Sequence, residues 1–175
     1  MMQRGTTTVL DRMIGAAALN PDAYEAVERD EGATGTALLI VVATSIAAGI
    51  GALTDSGLSG LFAGIIVALI SWVVYAAVAY IIGTRIFATP ETRATLGELL
   101  RTLGFAQVPR FFLVLSGIPV LGLLVGVVVF FWVLATTIVA LRQALDFTTG
   151  RAIGTAVVSW LLYIIPYLLV VALLH

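Results

Sequence analysis

Few side chains in this sequence are suited to chemistry, and their spacing limits what that chemistry would be. Gly57-Leu58-Ser59-Gly60 sets a serine among glycines, the local pattern around a serine nucleophile in an intramembrane protease. Such a serine needs a neighbouring base, usually histidine, to take its proton. The only histidine is His175, the last residue, so the pattern reads as a glycine- and serine-rich turn. The absence of Cys removes thiolate chemistry, disulfides and cysteine metal sites together. No acidic pair suggests hydrolysis, no His or acidic cluster offers metal ligands, and no glycine-rich loop with lysine could cradle phosphate. The sequence predicts a protein that is not an enzyme and carries no metal or cofactor.

Arg110 is the other candidate, because of what surrounds it. It precedes Phe111 to Leu141, a run without a single Asp, Glu, Lys or Arg. A charge at the centre of a bilayer costs about 2.5–3.5 kcal/mol on insertion scales, so such a residue usually faces water or a partner. Two readings stand side by side. Arg110 could lie near the inner interface and extend its stem towards it. Alternatively, Gln107 and Pro109 open the helix locally and Arg110 binds a lipid phosphate or a freed backbone carbonyl.

The elements that must position these residues are membrane helices. Hydrophobic residues make up 61% of the 175-residue chain, charged ones 11%, and the mean hydropathy is +1.11, against about 25% charged in soluble domains. The predicted class is all-α: a polytopic integral membrane protein of five transmembrane helices with short amphipathic surface helices. A crossing takes about 20 apolar residues, which places spans at about 36–53, 61–83, 100–117, 120–141 and 151–174. The third and fourth form a hairpin, with Gly117 and Pro119 at the reversal. A loop over 54–60 with Asp55 suits the outer face, and the inner segment 84–104 reads as an amphipathic helix with Thr89 as cap and Pro90 at its first position.

Charge fixes the orientation. All nine basic residues are Arg; Arg4, Arg12 and Arg29 precede the first span, Arg85, Arg93 and Arg101 fall between the second and third, and Arg142 and Arg151 between the last two. Basic residues favour cytoplasmic loops, so the N-terminus is expected inside and the C-terminus outside. Asp146 is placed to pair with Arg142 or Arg151. Net charge is near zero and no basic cluster appears, so nucleic acid is not an expected partner.

Residues 1–35 form a cytoplasmic region of two short helices. Val9, Leu10, Met13, Ile14 and Ala17 recur at helical spacing, and Asn20-Pro21 opens a second helix to about Glu31. Tyr24 shares one face with Val27, and Glu28 belongs to an acidic face that is either a docking surface or simply solvated. Small residues at four-residue spacing allow close helix contact: Ala43, Ala47 and Gly51 in the first span, Gly60 and Gly64 opening the second, Gly122 and Gly126 in the fourth, Gly150 and Gly154 in the last. Phe130 and Phe131 read as packing residues, and Pro166, between Tyr163 and Tyr167, as a kink.

With the five-span layout, Gly104-Phe105-Ala106-Gln107-Val108-Pro109-Arg110 and Thr149-Gly150-Arg151-Ala152 resemble the Yip1 domain family over roughly Pro21 to Leu174. The first supplies a glycine, an aromatic and a proline opening the third span, the second a comparable loop-to-helix junction. The resemblance implies a five-helix membrane domain, 36–175, with a cytoplasmic N-terminus. Eukaryotic members are associated with vesicle trafficking and small Rab-type GTPases through longer N-terminal regions. The short N-terminal region here resembles prokaryotic members, which implies a bacterial cytoplasmic membrane.

Two functions follow. One is a Yip1-like organiser that touches membrane lipids and other membrane proteins, with homo-oligomers allowed. The other is an accessory or scaffold subunit of a larger photosynthetic or respiratory complex. A small transporter or channel ranks third, for want of a polar path or an acidic residue in the spans.

Overall fold

A computed structural model describes residues 8–173, the side chains of 54–56 and 165–173 excepted. Arg4 and His175 lie outside the described residues, as do the side chains of Asp55, Pro166 and Tyr167. Among the described residues every element is helical: α1 (Val9–Ala17), α2 (Pro21–Arg29), α3 (Ala33–Gly51), α4 (Leu53–Arg85), α5 (Leu96–Phe105), a 3-10 segment (Val108–Gly117), α6 (Leu121–Ala144) and α7 (Thr149–Leu173). Three helices, α3, α4 from Gly57 onwards and α6, are each long and apolar enough to cross a membrane. A fourth crossing is made if α5 and the 3-10 segment, bent by 41° at their junction, count as one. The chain is therefore built as a polytopic membrane protein.

The two short helices start as their sequences dictate. Thr8 and Asp11 form a reciprocal capping box on α1, and the Asn20 side chain caps α2 ahead of Pro21. Each C-terminus then borrows partners from elsewhere in the fold. The Trp132 indole of α6 donates to the Ala17 carbonyl at 2.7 Å, and the Tyr24 hydroxyl to that of Ala16 at 3.1 Å. Arg101 of α5 donates to the Val27 and Glu28 carbonyls at the end of α2, where a helix leaves carbonyls without intrahelical partners. An Arg12–Asp30 ion pair ties α1 to the end of α2. Together they form a lid over one end of the bundle.

At that end also lie the amphipathic start of α5 and the end of α6, where Gln143 donates to Glu25 at 3.1 Å. Arg151, opening α7, donates to the Phe87 carbonyl at 3.2 Å. The opposite end is marked by Gly51, Ser116, Gly117 and Gly122. A Cβ on Gly117 would stand 2.8 Å from the Gly51 carbonyl oxygen, and Gly51 and Gly122 have no room for one against Leu113 and Ser116. Gly104 touches Ala37 near the start of α3, while Ser116 and Gly117 touch its last residue. The bent α5 and 3-10 pair thus runs almost the length of α3.

Several expectations are corrected. Thr89 and Pro90 do not open a helix: Thr89 turns back on Thr92, and α5 begins after Thr95, whose side chain forms a capping box with Glu98. That reciprocal pair satisfies two backbone N–H groups, which Thr89 cannot do without an acid three residues on. The predicted third span is not one α-helix but breaks at Ala106–Gln107 into 3-10 geometry. Residues 54–60 are not an open loop but helix, interrupted at Gly57 (φ 63°, ψ −170°), which glycine alone adopts without strain.

At the reversal the left-handed residue is Val120 (φ 67°), not Gly117. Gly117 is needed for the close approach of Gly51 instead, and Pro119 accepts from the Leu121 N–H at 2.8 Å. Asp146 pairs with neither arginine; it sits left-handed (φ 53°) just past α6, and Arg142 bonds to Gln143. There the Asp146 and Phe147 N–H groups close a Schellman motif on the Gln143 and Arg142 carbonyls. Phe130 and Phe131 are exposed and packed edge to face on each other, Phe131 on the outside of α6 and Phe130 at the mouth of a gap between the helices.

Candidate functional site

Between α4, α6, α7 and the 3-10 segment lies a cavity of about 790 Å³. Its wall is mainly apolar, and Val67, Phe130 and Trp160 both line it and are exposed, so it opens sideways. Polar groups reach it from the 3-10 segment and its N-cap, from α4, from α7 and, as Thr137, from α6. Arg110 and Gln107 reach it from either side of Pro109, with the Arg110 guanidinium donating to the Gln107 side-chain oxygen at 3.2 Å. On the α4 and α7 walls, the Ser71 and Tyr163 hydroxyls share a hydrogen bond of 2.6 Å. Tyr75 stands edge on to the Tyr163 ring, centroids 6.5 Å apart, and donates to the Ala156 carbonyl at 3.4 Å. Trp72 donates to the Leu100 carbonyl at 3.1 Å, closing the floor towards α5.

The depth of Arg110 follows from its neighbours. Gly104 marks the level of Ala37 and Leu113 that of Gly51, two levels separated by roughly 21 Å at 1.5 Å per residue of helix. Arg110 falls between them, half-buried and lining the cavity. No carboxylate pairs with it among the described residues, where the ion pairs are Arg12–Asp30 and Arg29–Glu25. The bend at Ala106–Gln107 aims it inward.

Other residues singled out from the sequence have different surroundings. Tyr24 is fully buried beneath α1 and so offers no partner surface, and burial pushes its phenol pKa up. Glu28 is half-buried at the lid, its carboxyl pushed up to about 7 by burial first and then by Glu98 and Asp146. Of the small residues, Ala47 and Gly51 are buried and Ala43 half-buried on α3, and Gly154 packs on the Phe87 ring. Gly60 is half-buried. By contrast, a Cβ on Gly64, Gly126 or Gly150 would meet nothing within 4 Å. Those three do not bring helices of this chain together; Gly64 and Gly126 instead line the cavity.

Sequence reasoning gave no site role to Ser71, Tyr75 or Tyr163. A hydroxyl in the middle of an apolar span was the available signal. It overlooked Gly83 too, whose missing side chain makes room for Leu145.

The fold and this chamber define an all-helical, multi-pass membrane domain with a mainly apolar cavity between its helices that holds a few polar groups. The Yip1 domain model matches residues 16–171, and the chain belongs to the Yip1 domain family. No curated protein and no solved structure matches it.

Proposed function

We propose that the protein is a non-catalytic organiser of the membrane, acting through lipid contact and helix packing. The observation that carries this reading is Arg110: a half-buried cation that lines a side-opening, mainly apolar cavity, with no carboxylate partner among the described residues. Ionisable residues in such places mark functional sites by default. In this reading α7 is the fifth span, the lid lies in the cytoplasm and the C-terminus outside. A bacterial cytoplasmic membrane is the proposed setting. Membrane lipids and other membrane proteins are the partners, without nucleic acid.

A second reading, an accessory or scaffold subunit of a larger photosynthetic or respiratory complex, is favoured by one feature. On the outside of α6, Gly122, Gly126, Phe130 and Phe131 line a shallow groove of about 430 Å³ that a foreign helix could fill. Gentle detergent extraction followed by native mass measurement separates the two. A lone or self-paired chain is expected for an organiser, and stoichiometric co-purification of other subunits would replace that reading with the second.

A further inference from the structure

We propose that the cavity between α4, the 3-10 segment, α6 and α7 is a site for an acidic phospholipid, with its phosphate on Arg110 and an acyl chain along the apolar wall. The inference rests on the lipid-contact reading above and names its ligand.

Charge is the first argument. No acidic residue lines the cavity, so the Arg110 cation is neutralised there only by something that enters. A guanidinium offers five N–H donors in a planar fork that matches phosphate geometry, and Gln107 accepts from only one arm. The Ser71–Tyr163 pair supplies a further donor. Two hydroxyls carry two protons, and one is used between them. A zwitterionic head group would place its ammonium beside Arg110 with no wall carboxylate to receive it, so an anionic head is favoured.

Shape is the second. About 790 Å³ is within the range of roughly 300–1,000 Å³ typical of small-molecule sites. That suits a head group and part of one chain, with the remaining chain leaving through the side opening past Val67 and Phe130. Gly64 and Gly126 keep the walls apart without being required by any helix contact inside the chain.

The test uses the full chain in nanodiscs and in detergent, with bound lipid read by native mass spectrometry. With phosphatidylglycerol and phosphatidylcholine supplied equally, wild type should retain phosphatidylglycerol about tenfold better, the scale of one charge-assisted hydrogen bond. Arg110→Gln should abolish that preference. Gly126→Leu adds bulk to the chamber at a position where an added Cβ meets nothing within 4 Å; its thermal midpoint should match that of wild type, and lipid retention should fall without any change of charge. Equal retention of both lipids by wild type, undiminished preference in Arg110→Gln, or unchanged retention in Gly126→Leu would each overturn the site. So would displacement of phosphatidylglycerol by an equal concentration of oleate, which would assign the cavity to a free carboxylate amphiphile. Failure of the organiser reading is seen separately, as stoichiometric foreign subunits in the wild-type preparation whatever lipid is bound.

Discussion

Two arginines nine positions apart show how little residue type alone decides. Arg101 is buried and spends its donors on the Val27 and Glu28 carbonyls, closing the end of α2; Arg110 keeps most of its fork for the cavity. The same Glu28 whose carbonyl serves Arg101 carries a carboxyl that ionises reluctantly, because burial and the nearby Glu98, Asp146 and Glu25 outweigh the help of Arg29. Its pKa rises from an ordinary 4.5 to about 7 in the folded chain. Between those values the folded protein holds a proton that the unfolded chain has released, so stability falls as pH rises through that window. The docked lid should therefore be firmest near pH 5 and loosen towards pH 8. Glu28→Gln keeps the backbone carbonyl and abolishes the titration, so its thermal midpoint should change less between pH 5.5 and pH 8 than that of wild type. Parallel pH profiles for the two proteins would assign the dependence to another group.

Helices were legible where composition or caps define them, and illegible where pitch does. The capping residues of α1 and α2 and the apolar runs of α3, α4 and α6 announced themselves. Hydropathy cannot distinguish an α-turn from a 3-10 turn, so only Gln107 and Pro109 pointed to a local opening of the helix, and the ten-residue 3-10 run that follows was not legible. Ten residues at about 2.0 Å each cover roughly 20 Å in 3-10 form, which lets a short stretch reach Gly51 at the far end of α3. The same blindness hid the cavity, whose walls come from six separate elements. Glycine spacing was only half informative: Gly64, Gly126 and Gly150 fit the close-contact pattern yet stand open, while Gly104 was singled out for another reason and approaches α3 closely. A Cβ there would lie 2.6 Å from that of Ala37 and 3.2 Å from its carbonyl oxygen. Gly104→Ala should cost about 1–3 kcal/mol by overpacking, more than the gain of up to about 1 kcal/mol in helix propensity. Gly150→Ala, in open space at the start of α7, should be neutral or slightly stabilising; thermal unfolding of the two variants in one detergent compares them.

At the scale of the molecule, the decisive matter is which connections share a compartment. The lid, the segment from Phe87 to Arg101, the end of α6 and the start of α7 are bound to one another by Arg101, Gln143 and Arg151, and all of them carry arginine. Gly51, Ser116 and Gly117 gather at the other end. Since the bent α5 and 3-10 pair spans between these ends, we expect it to cross the layer as one broken span instead of dipping in and returning, with α6 carrying the chain back. Four segments then alternate in direction, and α7 sets out from the arginine-bearing end along α4, passing Phe87, Tyr75 and Ser71 in turn. The chain contains no Cys, so single cysteines can be labelled without background. A membrane-impermeant maleimide added to intact cells should modify Leu58→Cys and Ile118→Cys, and should reach Glu91→Cys and Thr148→Cys only after the membrane is opened. If the bent pair merely re-entered, Ile118→Cys would join Glu91→Cys in protection while Thr148→Cys became accessible. That one exchange of signals would reverse α6 and α7 and separate arginine connections that the hydrogen bonds hold together.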